Sequence, residues 1–235
     1  MTKIPASLLI VLGCLFASAL LATTIPAYDR SQWQHWIDSD HDCQDTRHEL
    51  LLRESLEPVA FRTTSQCRVV TGKWYGQYLG VFFTEASDLD LDHIIPLKWA
   101  HDHGGWRWSS EDKQRFANDY QNLILVDDGR NQSKGARGPG EWMPDNSAYH
   151  CMYVFRWSYL MDKYNLSANQ VDKDKIGEVE RGCVLDKPAE RLQAYEYVQQ
   201  GWAKWYKYTR EANDHPPDLL AGNKTSPTRF LKFRA

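Results

Sequence analysis

The alternation of short apolar runs with capped, amphipathic stretches predicts an α+β domain. Three observations carry this expectation. Two strand-like runs, 89–95 and 122–126, flank a stretch with a helix start; residues 67–84 are β-branched and aromatic but broken by glycines; and 149–164 and 188–213 repeat apolar residues every three or four positions.

Taken in order, Asp42-Cys43-Gln44-Asp45 reads as a helix start, with the helix over 47–55 directing Leu50, Leu51 and Leu52 to a core. Gly72, Gly76 and Gly80 make 67–84 a twisted hairpin. The run 89–95 is a strand stopped by Pro96; period two puts Asp88, Asp90 and Asp92 on one face and Leu89, Leu91 and His93 on the other. Ser109-Ser110-Glu111-Asp112 caps a helix continuing through Phe116, 122–126 is the second strand, and Asp127-Asp128-Gly129 reads as a turn. Tyr153, Trp157 and Leu160 share one face of the helix over 149–164. Pro188 opens the last helix, whose Leu192, Tyr195, Val198, Trp202 and Trp205 read as core rather than as a base-stacking platform.

Composition narrows the function classes. With 42% hydrophobic and 25% charged residues the chain is globular, neither disordered nor fibrous. A mean hydropathy of −0.61 excludes a polytopic membrane protein. The balance of 28 Lys plus Arg against 31 Asp plus Glu, net −3, excludes a globally basic coat, so any polyanion-binding surface must be local.

Lys3 followed by an apolar run over 8–22 matches a secretory signal peptide, so residues 1–24 are read as a leader, with an uncleaved membrane anchor as the alternative. Val11-Leu12-Gly13-Cys14 resembles a lipoprotein box but lacks the polar linker that should follow. The remaining cysteines, Cys43, Cys67, Cys151 and Cys183, suggest two disulfides in an exported chain. Of three pairings, Cys43–Cys67 with Cys151–Cys183 is favoured, because each closes a modest loop beside the central segment. A zinc site built from the four is weak without a Cys-x-x-Cys pair. Residues 214–235 carry Lys224, Arg229, Lys232 and Arg234 and read as a basic tail.

Chemistry concentrates in 88–144. Three aspartates on one strand face repel unless a cation or basic partner sits among them. After the second strand come Arg130-Asn131-Gln132-Ser133-Lys134-Gly135. If the strands pair, Asp92, His93, Asn122 and Asn131 can converge: oxygens for a hard divalent cation, and a neutral histidine for a general base. Arg130, Lys134 and Arg137 would stand where a phosphate lies. Asn122 alone could equally cap a turn, and His101-Asp102-His103, before Gly104-Gly105, reads as a solvent loop rather than a metal site. Trp106, Trp108 and Trp142 read as packing around the motif.

Asp90-x-Asp92-His93-Ile94-Ile95-Pro96, then Asn122-Leu123, then Asn131-x-x-Lys134-Gly135 resembles the ββα-metal (HNH) nuclease motif. Phe116-Ala117-Asn118-Asp119, Glu141-Trp142-Met143-Pro144, Cys151-x-Tyr153, Tyr28-x-Arg30, Trp33 and Arg47 resemble exported HNH endonucleases related to the C-terminal domain of GmrSD restriction enzymes. The resemblance spans roughly 28–185. It implies a ββα finger within a single domain over 28–213, His93 as general base, and Asn122 holding His93 in position. Asp92 and Asn131 would be ligands of one divalent cation, Mg2+ with Mn2+ or Ca2+ as alternatives, and Asp90 a second-sphere or alternate ligand. Arg130, Lys134 and Arg137 would steady phosphate oxygens. The third motif residue is Asn131 rather than histidine, which leaves the preferred metal open. The expected function is a secreted or periplasmic endonuclease acting on DNA, or on RNA, with little sequence preference and no protein partner implied. The alternative is a non-catalytic nucleic-acid-binding module on the same scaffold.

Overall fold

The computed structural model describes residues 24–183. All but the last residue of the leader expected over 1–24, the helix expected over 188–213 and the tail expected over 214–235 lie outside the described residues.

Helix α1 (Thr46–Glu54) starts where Asp45 accepts a hydrogen bond from the His48 amide, which satisfies an otherwise orphaned donor. An antiparallel sheet follows, in the order β1 (Ala60–Phe61), β2 (Val69–Gly76), β3 (Val81–Glu85). The expected hairpin is present, with Gly76 opposite Val81. Gly80 takes φ +76° in the connection, a conformation that costs glycine little.

The second sheet is a two-stranded antiparallel ribbon of β4 (Leu89–His93) and β5 (Leu123–Asp127), with Asp92 opposite Ile124 and His93 opposite Leu123. Strand β4 stops at His93, two residues short of the expected end, and Asp88 falls in a single 3-10 turn before it. Between the strands lie α2 (Leu97–Asp102) and α3 (Ser110–Ala117), the latter capped by Ser109 as its sequence predicts.

Two readings need correction. Asp127-Asp128-Gly129 is not a turn but the start of α4 (Asp128–Lys134): the Asp127 carboxylate accepts from the Arg130 amide and caps the helix directly at the strand end. Short Asp-Asp-Gly runs serve turns and helix starts alike, and here the cap wins. The stretch His101–His103 is no solvent loop either. Buried His101 bonds the Pro26 carbonyl, and His103 stacks flat on Trp99 at 3.8 Å.

Helix α5 (His150–Lys163) buries Tyr153, Trp157 and Leu160 as expected. Helix α6 (Gln170–Gly182) was not anticipated, because its anchoring is polar: buried Asp172 accepts from the Trp99 indole at 2.9 Å and from the Gly140 amide at 2.8 Å. Disulfides Cys43–Cys67 and Cys151–Cys183 form in the favoured pairing.

Two apolar clusters sandwich the ribbon. Leu89, Leu91, Leu123 and Leu125 join Leu50, Leu51 and Trp74 on one side. On the other, Ile124 and Val126 join Tyr78, Trp142, Tyr153 and Trp157. The fold is α+β, with α4 lying on the ribbon in strand–strand–helix order.

Candidate active site at the β4–β5–α4 unit

Period-two alternation aims Asp90 and Asp92 of β4 at α4, which returns Asn131 and Lys134, three residues apart on one helical face. The Asn131 amide donates to Asp90 at 2.9 Å. The Lys134 ammonium donates to Asp92 Oδ2 at 2.8 Å and to the His93 carbonyl at 2.6 Å. Tyr78 donates to the same Asp92 oxygen at 2.8 Å. Lys134 is 0% exposed and Asp92 6%. Burial lowers the Lys134 pKa, with the Asp92 charge acting against it. Burial raises the Tyr78 pKa well above its ordinary value, and the neighbouring Asp92 adds to this. Asp90 is also raised by burial; its bond from Asn131 opposes the shift and nearby Asp128 reinforces it.

Asn122 is 0% exposed and clamps the chain just past His93. Its Oδ1 accepts from the Ile95 amide at 2.9 Å, its Nδ2 donates to the Ile95 carbonyl at 3.3 Å, and its own carbonyl takes the Ile94 amide at 2.7 Å. The turn-cap alternative therefore gives way to a cross-connection between the two motif halves, 27 residues apart.

His93, 5% exposed, belongs to the opposite face of the ribbon. Its Nε2 lies 2.8 Å from the Ala117 carbonyl. A carbonyl only accepts, so Nε2 carries the proton and Nδ1 keeps the lone pair. Burial pulls the His93 pKa down to about 3, the Ala117 bond opposing it, so the ring is neutral at physiological pH. Trp36 stacks on this imidazole at 5.3 Å and 12°, and the His35 ring lies 6.4 Å away.

The structure thus brings Asp92 to Lys134, Asp90 to Asn131, and Asn122 to the backbone after His93, while the His93 ring turns to Ala117 and Trp36. The three expected phosphate cations fare differently. Lys134 is enclosed with Asp92, Arg130 pairs with Asp145 at 2.5 Å, and exposed Arg137 donates its Nε to the Lys134 carbonyl at 3.1 Å. Tyr78, His35 and Trp36 escaped the sequence reading; His35 and Trp36 lie more than 50 residues before the motif, and Tyr78, 14 residues before Asp92, sits in a hairpin connection with no pattern of its own. Asp92 Oδ1 and Asn131 Oδ1 take no part in these bonds; carboxylate and amide oxygens are the donor types a hard divalent cation accepts. Among the described residues, the trio of carboxylates within ligating reach of one another lies elsewhere, at Asp38, Asp40 and Asp42.

Comparison with known proteins places the chain. An uncharacterized secreted protein of Arthroderma benhamiae is 34% identical over 158 residues, covering 66% of this chain and 76% of the relative. No solved structure matches. The family model for GmrSD restriction endonucleases, C-terminal domain, matches residues 45–179, and the chain belongs to that family.

Proposed function

We propose that the protein is a secreted HNH-type endonuclease that hydrolyses phosphodiester bonds of DNA, or of RNA, with little sequence preference. Family membership supports a nuclease, and the observation that carries the mechanism is the neutral His93 with its tautomer set by Ala117. Nδ1 of His93 takes a proton from water as its oxygen attacks phosphorus, and the departing sugar oxygen leaves protonated by solvent. Asp92 and Asn131 would hold one divalent cation, Mg2+ or else Mn2+ or Ca2+, which would supply positive charge to the scissile phosphate and leaving oxygen. Asn122 fixes the backbone that carries His93. Lys134 orients Asp92 rather than gripping substrate, and Arg137 faces the phosphate backbone, while Arg130 is held by Asp145. Backbone contacts of this kind carry no sequence information. Two disulfides and the secreted relative support export, for which residues 1–24 serve as signal peptide or, in the alternative, as membrane anchor.

One observation favours a second reading, a non-catalytic nucleic-acid-binding module: the Lys134 ammonium already neutralises Asp92. Supercoiled-plasmid nicking separates the two. Cleavage is expected with Mg2+, absent with EDTA, and reduced by at least about 100-fold in His93→Ala. A folded, oxidised protein that cuts neither DNA nor RNA with Mg2+, Mn2+ or Ca2+ would sink the enzyme in favour of the module.

A further inference from the structure

The segment before α1 lies outside the residues that match the family model, yet it touches the proposed base. The turn that ends α3 holds both. Ala117 offers its carbonyl to His93, and the next residue, Asn118, donates to the Gln34 carbonyl at 2.8 Å and accepts from the Ile37 amide at 3.4 Å. From the other side Thr46 binds the Ile37 carbonyl through its amide at 2.9 Å and its hydroxyl at 3.0 Å. Between these clamps Trp36 takes φ +57°, a left-handed backbone that a bulky residue adopts only when its surroundings impose it. What this conformation secures is the flat stack on His93.

The same segment carries a cation. His35 Nδ1 lies 2.7 Å from the Trp33 carbonyl, so Nδ1 bears the proton and Nε2 accepts. Arg30 Nη2 donates to that Nε2 at 3.2 Å. The guanidinium is therefore one hydrogen bond from a ring 6.4 Å from His93. Arg30 is exposed and makes no ion pair among the described residues, whereas Lys134 and Arg130 are both committed to carboxylates. A guanidinium presents a planar fork matched to two oxygens of a phosphate; His35 takes one donor of Arg30 and Tyr28 interacts with the same side chain, and with five donors an exposed guanidinium still has some left for a phosphate.

We propose that Arg30, held in place by His35, binds a non-bridging oxygen of the nucleic-acid phosphate delivered to His93. The proposal rests on the endonuclease reading and extends it: the segment preceding the family domain completes the site. The full-length oxidised protein provides the test, by steady-state cleavage of a fluorescent duplex and by duplex binding across a salt series in a His93→Ala background. Arg30→Gln should lower kcat/KM by about 10-fold or more, and Arg30→Lys, which keeps charge but loses the fork, should fall between. In the His93→Ala background, Arg30→Gln should reduce the slope of log affinity against log salt by about one, as expected for one lost phosphate contact. A merely structural Arg30 would lower the melting temperature and leave that slope unchanged. Wild-type cleavage and salt slope in Arg30→Gln overturn this inference alone. A wild-type chain that neither cuts nor binds nucleic acid removes the endonuclease reading, and this inference with it.

Discussion

On one face of the β4–β5 ribbon Leu89, Leu91, Leu123 and Leu125 pack against α1 and Trp74; on the other, Asp90 and Asp92 meet Asn131 and Lys134. The first face is stabilised by area removed from water, about 1.5–3 kcal/mol for each fully buried leucine, and tolerates any neighbour of suitable shape. Its counterpart holds only while every member is matched, because an ion buried without its partner costs several kcal/mol. A ribbon five residue pairs long thus carries an adaptable side and an exacting one. The proposed base stands at the end of the adaptable side, where desolvation keeps it neutral.

The contrast is sharpest if Lys134 is removed. Lys134→Met strands the Asp92 charge beneath Tyr78 and should cost about 3–5 kcal/mol in urea unfolding. Adding Asp92→Asn, which keeps an acceptor for Tyr78, should return most of that loss. A single variant as stable as the parent would break the picture of obligate pairing. On the apolar face Leu125→Ala should cost about 3 kcal/mol, by lost transfer energy and a residual cavity. Here no second polar change should rescue it; recovery by any substitution at Asn131 or Lys134 would show that the two faces are coupled.

The smallest effect concerns α1, which covers the apolar face. His48 Nδ1 accepts from the Val69 amide at 3.2 Å, which requires a neutral ring, and burial lowers its pKa. The unfolded chain takes up a proton at about pH 6.5, and the native ring resists until lower pH. This bond's contribution is complete above about pH 6.5 and declines as pH falls through the native value. Because the ring is only partly covered, solvent screening keeps the change small, about 1–2 °C in Tm between pH 7.5 and 5. His48→Asn, whose side-chain oxygen can accept in place of Nδ1, should flatten that difference in differential scanning calorimetry.

How much of this was legible in sequence follows the same division. Period-two alternation in 89–95 and 122–126 located the ribbon, assigned Asp92 and His93 to opposite faces, and made the Asn122 and Asn131 spacing visible. Cap chemistry located α1 and α3. Polar anchoring stayed hidden: α6 hangs on Asp172 and carries no strong apolar stripe, so periodicity passed over it. The fate of Lys134 was hidden too, since a lysine beside a glycine in a basic stretch looks solvated until Tyr78 and Asp92 close over it. Tyr78 comes from the β2–β3 hairpin and Trp36 from a loop far from the motif. Contacts between distant segments leave no mark on local spacing.

The two disulfides close the stretches 43–67 and 151–183, and the whole β4–β5–α4 unit lies between them without a cross-link of its own. Residues 62–66 inside the first stretch are all exposed. A protease in the surrounding medium that severs the backbone there releases nothing: both pieces stay tethered through sulfur, and the cut end remains a short diffusion from where it started. Nicked molecules would travel as intact ones on a gel until a reductant is added, and only then fall into two fragments. The bridges therefore set which cuts the molecule survives in one covalent piece.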